Sequence, residues 1–250
     1  SLGLVGSEMC IRDRPGTAAE VLDDDVRKIL CPDKLNTKQW LDIVATAHNV
    51  GLKTTSTIMF GHIDTPTNWA KHLMQLRDLQ KKTQGITEFV PLPFVHMEAP
   101  IYLRGLARPG PTWRETVLMH SVARLVLYPC INNIQTSWVK LGPLGATACL
   151  NAGANDLGGT LMNETITRSA GASHGQEFNP KQMDDLINSA GRKSKQRTTL
   201  YDDVSEPQRR KSYEAAPLKD VVNNPVRKNS KRKVKAKTQQ EKMSFQGAAN

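Results

Sequence analysis

Two short segments combine a strand-like run with polar side chains that could bind a ligand. In "TIMFGHID", His62 and Asp64 come after Gly61, where the missing Cβ lets a ligand approach the backbone. In "TEFVPLPFVHMEAP", Glu88 lies within an apolar run and His96 follows on a loop. A buried carboxylate needs a partner, which is either a ligand or a basic side chain. Both interpretations stay open, as does a simple helix-capping turn at Asp64.

Two further segments carry side chains suited to a planar polar ligand, a polyol or an anion. "NNIQTSWVKLG" and "GANDLGGT" place an aromatic ring, amides, a carboxylate, an amine and a hydroxyl at the ends of predicted strands. These candidates are Gln135, Trp138, Lys140, Asn155, Asp156 and Thr160. The alternative for Trp138 is a place in the core. His48, His72 and His120 fall within predicted helices, which favours structural roles.

The elements that must position these residues alternate between strand and helix. Runs of β-branched and apolar residues predict strands at 53–60, 86–90, 132–139 and 154–158. Periodicity and capping residues predict helices at 17–30, 36–50, 65–83, 112–128, 143–153 and 179–191. This order is typical of an α/β fold with a parallel sheet, either half of an eight-stranded barrel or a small open sheet. Both place ligands at the carboxyl ends of the strands.

Composition excludes several kinds of protein. No run of about 18 apolar residues predicts a membrane span, and no basic region followed by an apolar one predicts a signal peptide. The four separated cysteines form no CxxC or Cys/His cluster, so we expect no metal site from this chain alone. Unpaired cysteines without a secretory signal indicate a reducing intracellular compartment, and we expect the cytoplasm.

The net charge of +10 is concentrated at one end of the chain. Residues 206–250 hold 12 Lys/Arg and 4 Asp/Glu, a net charge of +8, and few large apolar residues. We therefore predict a disordered basic tail at 206–250 after a folded region at 15–205. A non-catalytic protein that binds nucleic acid through this tail is one alternative. The nearly neutral folded region argues against nucleic acid as a partner.

From residue 15 to about 204 the chain resembles one enzyme family, the tyrosine 4-hydroxybenzyl-transferring radical-SAM component of FO synthase. The segments that carry the resemblance occur in order along the chain. They are "PGTAAEVL", "GLKTTSTIMFGHIDTPTNWAKHL", "GITEFVPLPFVHMEAPIYL", "ARPGPTWRETVLMHSVARL", "NIQTSWVKLG", "GANDLGGTLMNETITRSAGASHG" and "GRKSKQRTTLY". The related aminofutalosine synthase-like enzyme of menaquinone synthesis is the second alternative, although "EFVPLPF" and "QTSWVKLG" look more like the deazaflavin enzyme.

The resemblance implies the C-terminal half, about four βα units, of a radical-SAM (βα)8 TIM-type barrel. It implies that a 4Fe-4S cluster cleaves S-adenosylmethionine (SAM), and that the resulting radical acts on L-tyrosine. The 4-hydroxybenzyl fragment is then joined to 5-amino-6-(D-ribitylamino)uracil in deazaflavin (coenzyme F-420) synthesis. The implied partner is the second, ring-closing component of FO synthase, fused or separate.

The resemblance assigns site residues only in part. It places SAM near Thr57, Met59, Gly61 and Asp64, beside His62, although only Gly61 matches the family motif strictly. Substrate contacts at Glu88, His96 and the other strand-end candidates follow from barrel geometry.

The chain also departs from the family, because it lacks the CxxxCxxC loop that holds the cluster. Cys10 in "MCIRDR" has no partner cysteines near it. Because the resemblance begins only at Pro15, we expect residues 1–14 to be a non-native leader. We also expect the chain to be a fragment that is inactive by itself, whereas its full-length parent is the transferase.

Overall fold

The computed structural model describes residues 13–14, 18–160, 166–174 and 177–216. Within them, three parallel strands form a sheet in the order β1, β2, β3. Their bounds are Asp13–Arg14, Lys53–Phe60 and Ile86–Pro93. The predicted α/β class with parallel strands is confirmed.

Two further segments extend the sheet beyond β3 by single bridges. Ile134 pairs with Phe89 of β3, and Gln135 pairs with Asp156, both in parallel. The Gln135 N–H donates to the Phe89 carbonyl at 3.0 Å, and the Thr136 N–H donates to the Asp156 carbonyl at 2.8 Å. Four parallel segments therefore follow one another in chain order from β2 to Asp156.

Nine helices occur in the described ranges, and several begin with strong caps. α2, α5 and α8 start with capping boxes, in which the N-cap side chain and the side chain three residues later satisfy each other's backbone N–H groups. The helices are α1 Asp24–Leu30, α2 Thr37–Asn49, α3 Pro66–Thr83, α4 Pro100–Leu103, α5 Trp113–Leu127, α6 Trp138–Asn151, α7 Ile166–Ser169, α8 Pro180–Ser189 and α9 Glu206–Tyr213. None of these helices has the length and apolarity needed to cross a membrane.

The hydrophobic core lies between one face of the sheet and the helices. Along β2, Ile58 and Phe60 are fully buried, whereas Thr57 and Met59 are half-buried. The Phe60 ring meets the Trp69 ring of α3 edge-on, with centroids 5.6 Å apart. Since side chains alternate along a strand, Thr57 and Met59 lie on the face opposite α3.

The first helix is shorter than the predicted 17–30. α1 begins after its N-cap Asp23, and residues 18–22 before it are not helical, with a left-handed φ of 52° at Glu20. The Glu20 carbonyl accepts the Met59 N–H at 3.0 Å, so this segment lies along the outer edge of β2. Pairing with a strand edge thus replaces the helical hydrogen bonds that the apolar spacing predicted. The proposed N-cap Thr17 lies outside the described residues.

The third and fourth predicted strands are also too long. α6 begins at Trp138, inside the predicted strand 132–139, so only the bridges described above remain. At 154–158 a side-chain oxygen replaces a backbone carbonyl as a hydrogen-bond acceptor in the sheet. The Asn155 Oδ1 accepts the Ile134 N–H at 2.9 Å. The parallel order was predicted correctly, and the strand lengths were wrong.

The predicted tail begins with a helix. α9 occupies Glu206–Tyr213, where the sequence suggested disorder from residue 206. The Tyr213 hydroxyl donates to the Asp184 carboxylate of α8 at 2.6 Å. This contact joins positions distant in sequence, so local composition could not indicate it. Residues 217–250 of the predicted tail lie outside the described residues.

Two buried histidines are neutral in the folded chain. Burial lowers the pKa of His72 to about 3 and the pKa of His120 to about 4. The Leu22 N–H donates to Nδ1 of His72 at 3.0 Å, and Nδ1 of His120 donates to the Thr116 carbonyl at 2.8 Å. Both rings belong to the packed interior, as predicted for structural histidines.

We predict that acid destabilises the fold through His72 and His120. In the unfolded chain a histidine protonates near pH 6.5, whereas these folded-state pKa values are lower. Their stabilising contribution is therefore complete above about pH 7 and is lost as the pH falls, at about 1.4 kcal/mol per pH unit for each ring. Urea unfolding should show a free energy about 2 to 3 kcal/mol lower at pH 5.5 than at pH 7.5 from this pair. His120→Gln should remove about half of that dependence, and an unchanged dependence would contradict this explanation.

Candidate functional site

The turn after β2 uses its polar groups internally. The Asp64 carboxylate accepts the N–H groups of Gly61 and His62 at 2.9 and 2.7 Å and also binds the indole N–H of Trp69. Nε2 of His62 donates to the Met59 carbonyl at 2.9 Å, and its Nδ1 accepts the next backbone N–H. Burial lowers the pKa of His62, so the ring is neutral. The structure therefore places Gly61, His62 and Asp64 in a self-satisfied turn.

A second segment of chain covers this turn. The Arg108 N–H donates to the His62 carbonyl at 3.0 Å, and the chain then continues to Pro111. Gly61 has a φ of 93°, and a Cβ there would lie 2.3 Å from the backbone nitrogen of Pro111. The close backbone approach that the sequence suggested for a ligand is thus made by Pro111.

Thr57 and Met59 differ from the rest of the predicted cofactor residues. They lie on the sheet face opposite α3, beside Val90 and Leu92 of β3 in the register of the sheet. Both are half-buried, so a ligand on this face could contact them.

Glu88 and Asp156 come together around a basic residue that the sequence analysis did not single out. The Arg197 guanidinium donates to the Asp156 carboxylate and, at 3.4 Å, to the Glu88 carboxylate. The side chains of Glu88 and Asp156 are only 5% and 11% exposed. The Tyr201 ring stacks on the guanidinium at 4.1 Å, and its hydroxyl hydrogen-bonds Glu88. The four residues form a nearly buried ionic cluster.

Arg197 and Tyr201 belong to residues 192–204 between α8 and α9, which we call the strap. Arg197 bridges to Asp203, and the Thr198 N–H donates to the Asp202 carbonyl at 2.9 Å. Tyr201 adopts a left-handed φ of 69°, which is uncommon for a large side chain. Because Glu88 is the third residue of β3, the strap contacts the sheet away from its carboxyl edge.

The remaining predicted site residues lie at the ends of the third and fourth parallel segments, where they hold neighbouring loops in place. The Gln135 amide lies against Gly158, where a Cβ would approach it to 2.6 Å. The Asn155 Oδ1 accepts from Arg124 as well as from the sheet. The Trp138 indole donates to the carbonyl of residue 159 at 3.1 Å, and the Thr160 carbonyl accepts a backbone N–H from residue 178. Trp138 is thus a core residue that anchors the loop beginning at 158.

A cavity of about 210 Å³ opens beyond the carboxyl end of β3. It is lined by Lys140 and by residues 94–97 and 171–174, which include His96 and His174, and we call it the basic cavity. None of the described residues that line it is acidic. Two of the predicted site residues, His96 and Lys140, are therefore brought together at the expected edge of the sheet.

Glycines make this convergence possible. Gly142 has a φ of 66° and breaks α6 into two helical pieces, and a Cβ there would lie 2.7 Å from Nδ1 of His174. Gly171 has a φ of 106°, and its Cβ would lie 2.7 Å from the Met97 Cβ. Larger residues would separate the three segments, so the cavity depends on these positions.

A larger cavity, of about 470 Å³, lies at the opposite edge of the sheet. It is lined by Arg124, Tyr128 and Arg192, near the residues that precede the third and fourth parallel segments. Arg124 donates to three protein oxygens there, at distances of 2.7–2.8 Å. Three helices end close to this cavity, and their carbonyl ends disfavour an anion. We therefore take the basic cavity as the candidate functional site.

Sequence reasoning missed Arg197, Tyr201 and His174. The signal for Arg197 was indirect, since a carboxylate within the apolar run around Glu88 requires a cation or donor. No local pattern identifies which of the 34 Lys/Arg residues supplies it.

Sequence comparison relates the chain to known proteins. The family model described as "CofH/MqnC C-terminal region" matches residues 83–210, which include β3, the basic cavity and the strap. An FO synthase of Mycobacterium leprae is 54% identical over 187 residues, covering 75% of this chain and 22% of that protein. An FO synthase of Streptomyces coelicolor is 54% identical over 192 residues, covering 77% and 22%.

A shorter relative matches equally well. The 5-amino-6-(D-ribitylamino)uracil–L-tyrosine 4-hydroxyphenyl transferase of Methanopyrus kandleri is 55% identical over 190 residues, covering 76% of this chain and 52% of that protein. The chain thus spans between about a fifth and about half of the length of these relatives. The family match extends over slightly more than half of the chain. The chain belongs to the CofH/MqnC C-terminal region family.

Proposed function

We propose that this chain is part of a radical-SAM transferase that joins the 4-hydroxybenzyl group of L-tyrosine to 5-amino-6-(D-ribitylamino)uracil in FO synthesis. The observation that carries the proposal is the identity of 54–55% to relatives named FO synthase or as this transferase. The match to the family model includes the basic cavity, so the resemblance extends to the candidate site.

We propose that the four parallel segments are consecutive strands of a (βα)8 barrel. Their unbroken parallel order, with helices between them, supports this arrangement. The half-buried face with Thr57 and Met59 would then point into the barrel, and the basic cavity would lie at its catalytic end.

Of the two cofactors implied for the family, the described residues fit contact with SAM but do not fit a 4Fe-4S cluster. Among the described residues no group of three His, Cys, Asp or Glu side chains could hold a metal ion. Cys31, Cys130 and Cys149 are free thiols on separate elements, so they do not fit a 4Fe-4S cluster. The turn at Gly61–Asp64 uses its donors internally, which leaves Thr57 and Met59 as the residues that fit contact with SAM.

The roles we propose for this chain concern the substrates. The basic cavity holds and orients a polar substrate at the carboxyl edge of the sheet. The ionic cluster of Glu88, Asp156, Arg197 and Tyr201 fixes the relative positions of two strands beneath the cavity. Trp138 anchors the loop that begins at 158 through its indole N–H. These residues position the reactants, and none of them needs to change its covalent state.

A domain exchange tests the proposal. The matched region of the Methanopyrus kandleri transferase is replaced by the corresponding residues of this chain, and product formation is measured anaerobically with L-tyrosine and 5-amino-6-(D-ribitylamino)uracil. We expect the exchanged protein to form the coupled product. A folded exchanged protein that cleaves SAM without coupling the two substrates would contradict the proposal. Coupling of the enolpyruvyl purine substrate instead would favour the aminofutalosine synthase-like alternative.

The proposal includes a partner and a compartment. We propose that the parent works with the ring-closing component of FO synthase, either fused to it or separate from it. The match covers 22% of a long FO synthase and 52% of a shorter transferase, and relatives of these two lengths are compatible with a fused and with a separate component. The free thiols among the described cysteines suit the reducing, cytoplasmic location expected from the sequence.

A further inference from the structure

The strap is a loop whose two ends are held close together. It leaves α8 through Gly191 and enters α9 at its N-cap Ser205. The two helices contact each other, since the Tyr213 hydroxyl of α9 donates to the Asp184 carboxylate of α8 at 2.6 Å. The strap is therefore a compact surface loop with a single base, and loops of this kind are frequently functional.

The backbone of the strap closes on itself. The Thr198 N–H donates to the Asp202 carbonyl at 2.9 Å, and the Asp202 N–H donates to the Thr198 hydroxyl at 3.0 Å. Arg197 bridges to Asp203, whose carboxylate also pairs with the Lys195 ammonium. All of these bonds lie within the strap, so the strap can leave the sheet without breaking them.

Side chains attach the strap to the sheet. Glu88 lies on the same face as Thr57, because it pairs with Thr55 and side chains alternate along both strands. Arg197 and Tyr201 contact Glu88 on this face, near the amino end of β3. The strap therefore covers the amino end of the sheet face that is opposite α3.

We infer that the strap is a plug that opens as a unit and then exposes the amino end of this face to solvent. The four-residue ionic cluster is its latch, and Gly191 is one hinge. Gly191 has a φ of 71°, and apart from its chain neighbours no atom lies within 4 Å of a Cβ built there. The chain can therefore turn at this position without displacing a packed group.

The closed plug keeps water from reaching the sheet face through its amino end. This role concerns solvent access and not recognition of a ligand. It applies whichever substrate the protein binds, so it goes beyond the proposed function.

The energetics of the latch favour a closed strap that still opens. Glu88 and Asp156 are nearly buried, and the desolvation of charged groups offsets much of their attraction to Arg197. The Gln196 Oε1 is buried without a hydrogen-bond partner among the described residues, so water would solvate it only in the open state. We therefore expect the open strap to be a minor state that forms more readily than the unfolded chain.

Native-state proteolysis of the 250-residue chain tests the inference. In a background variant with Arg192→Gln, Lys193→Gln and Lys195→Gln, Arg197 is the one trypsin site that the strap sequence keeps. Trypsin cannot bind this side chain while it lies in the ionic cluster, so cleavage of the bond between Arg197 and Thr198 reports the open population. Mass spectrometry separates this cut from cuts elsewhere in the chain.

The dependence on urea distinguishes opening of the strap from global unfolding. We expect cleavage after Arg197 to rise with urea much less steeply than global unfolding does, because opening of the strap exposes far less surface. Equal steepness would show that the strap opens only when the whole chain unfolds, and would overturn the inference.

A matched pair of tyrosine variants tests the latch. In the same background, Tyr201→Phe removes the hydroxyl bonded to Glu88 and keeps the ring, so it should accelerate cleavage after Arg197 about tenfold. Tyr128→Phe removes the hydroxyl of an exposed tyrosine and should leave the cleavage rate unchanged. The same rate in both variants would mean that the ionic cluster does not hold the strap closed, which also overturns the inference.

Discussion

Replacing Arg197 by methionine should lower the free energy of unfolding by about 3 kcal/mol. The substitution leaves the Glu88 and Asp156 carboxylates nearly buried without their shared cation. Breaking a buried ion pair by removing one partner is costly, because the remaining charge has lost its solvation and its counter-charge. The Arg197 side chain is itself 25% exposed, which places the expected effect at the lower end for such pairs. Urea unfolding at pH 7.5 measures it.

Lys195→Met is the control on the same strap. Its ammonium pairs with Asp203, but both side chains are about three-quarters exposed, so its loss should change stability very little. Combining Arg197→Met with Glu88→Gln and Asp156→Asn removes the stranded charges and should restore part of the loss. Equal effects of Arg197→Met and Lys195→Met would show that the cluster does not stabilise the fold.

Replacing Gly61 by alanine should destabilise the chain by about 3 kcal/mol or more. The backbone there has a φ of 93°, a conformation that strains a residue with a Cβ. The new methyl group would also lie 2.3 Å from Pro111, whose ring and backbone cannot move aside without shifting the covering segment. Thermal and urea unfolding report the loss.

Gly51→Ala separates the strain from the steric clash. Gly51 also has a positive φ, of 84°, but no atom outside its neighbours lies within 4 Å of a Cβ built there. Its substitution should therefore cost only about 1 kcal/mol, the contribution of the backbone conformation. If both variants lose the same stability, contact with Pro111 does not hold the turn after β2.

Local sequence patterns predicted the elements whose signals are local. α2, α3 and α5 carry capping residues and an apolar face, and β2 carries β-branched residues, so their bounds agree closely with the structure. The stretch before α1 failed because its helical spacing competes with pairing to the edge of β2, a partner distant in the chain. Local propensity gives way when tertiary contacts supply the hydrogen bonds.

The candidate site could be predicted only in part for the same reason. His96 and Lys140 follow predicted strands, and the rule that ligands lie at carboxyl ends places them together. The same rule predicted a ligand at Glu88 and Asp156, but Glu88 lies away from the carboxyl edge, and the structure pairs both carboxylates with Arg197, 109 and 41 residues farther along the chain. A single sequence contains no signal that joins such distant partners.

The strap has a consequence for the order in which the protein is made. Ribosomes add about 5 to 20 residues per second, so Arg197 is synthesised on the order of 5 to 20 seconds after Glu88. During that interval β3 can pair with β2, yet its carboxylate must remain hydrated or find a temporary partner. The nascent chain therefore cannot complete its polar interior until the strap has left the ribosome. Premature termination before Arg197 would leave two parallel segments with unneutralised carboxylates, which makes the incomplete product a natural substrate for chaperones and proteases.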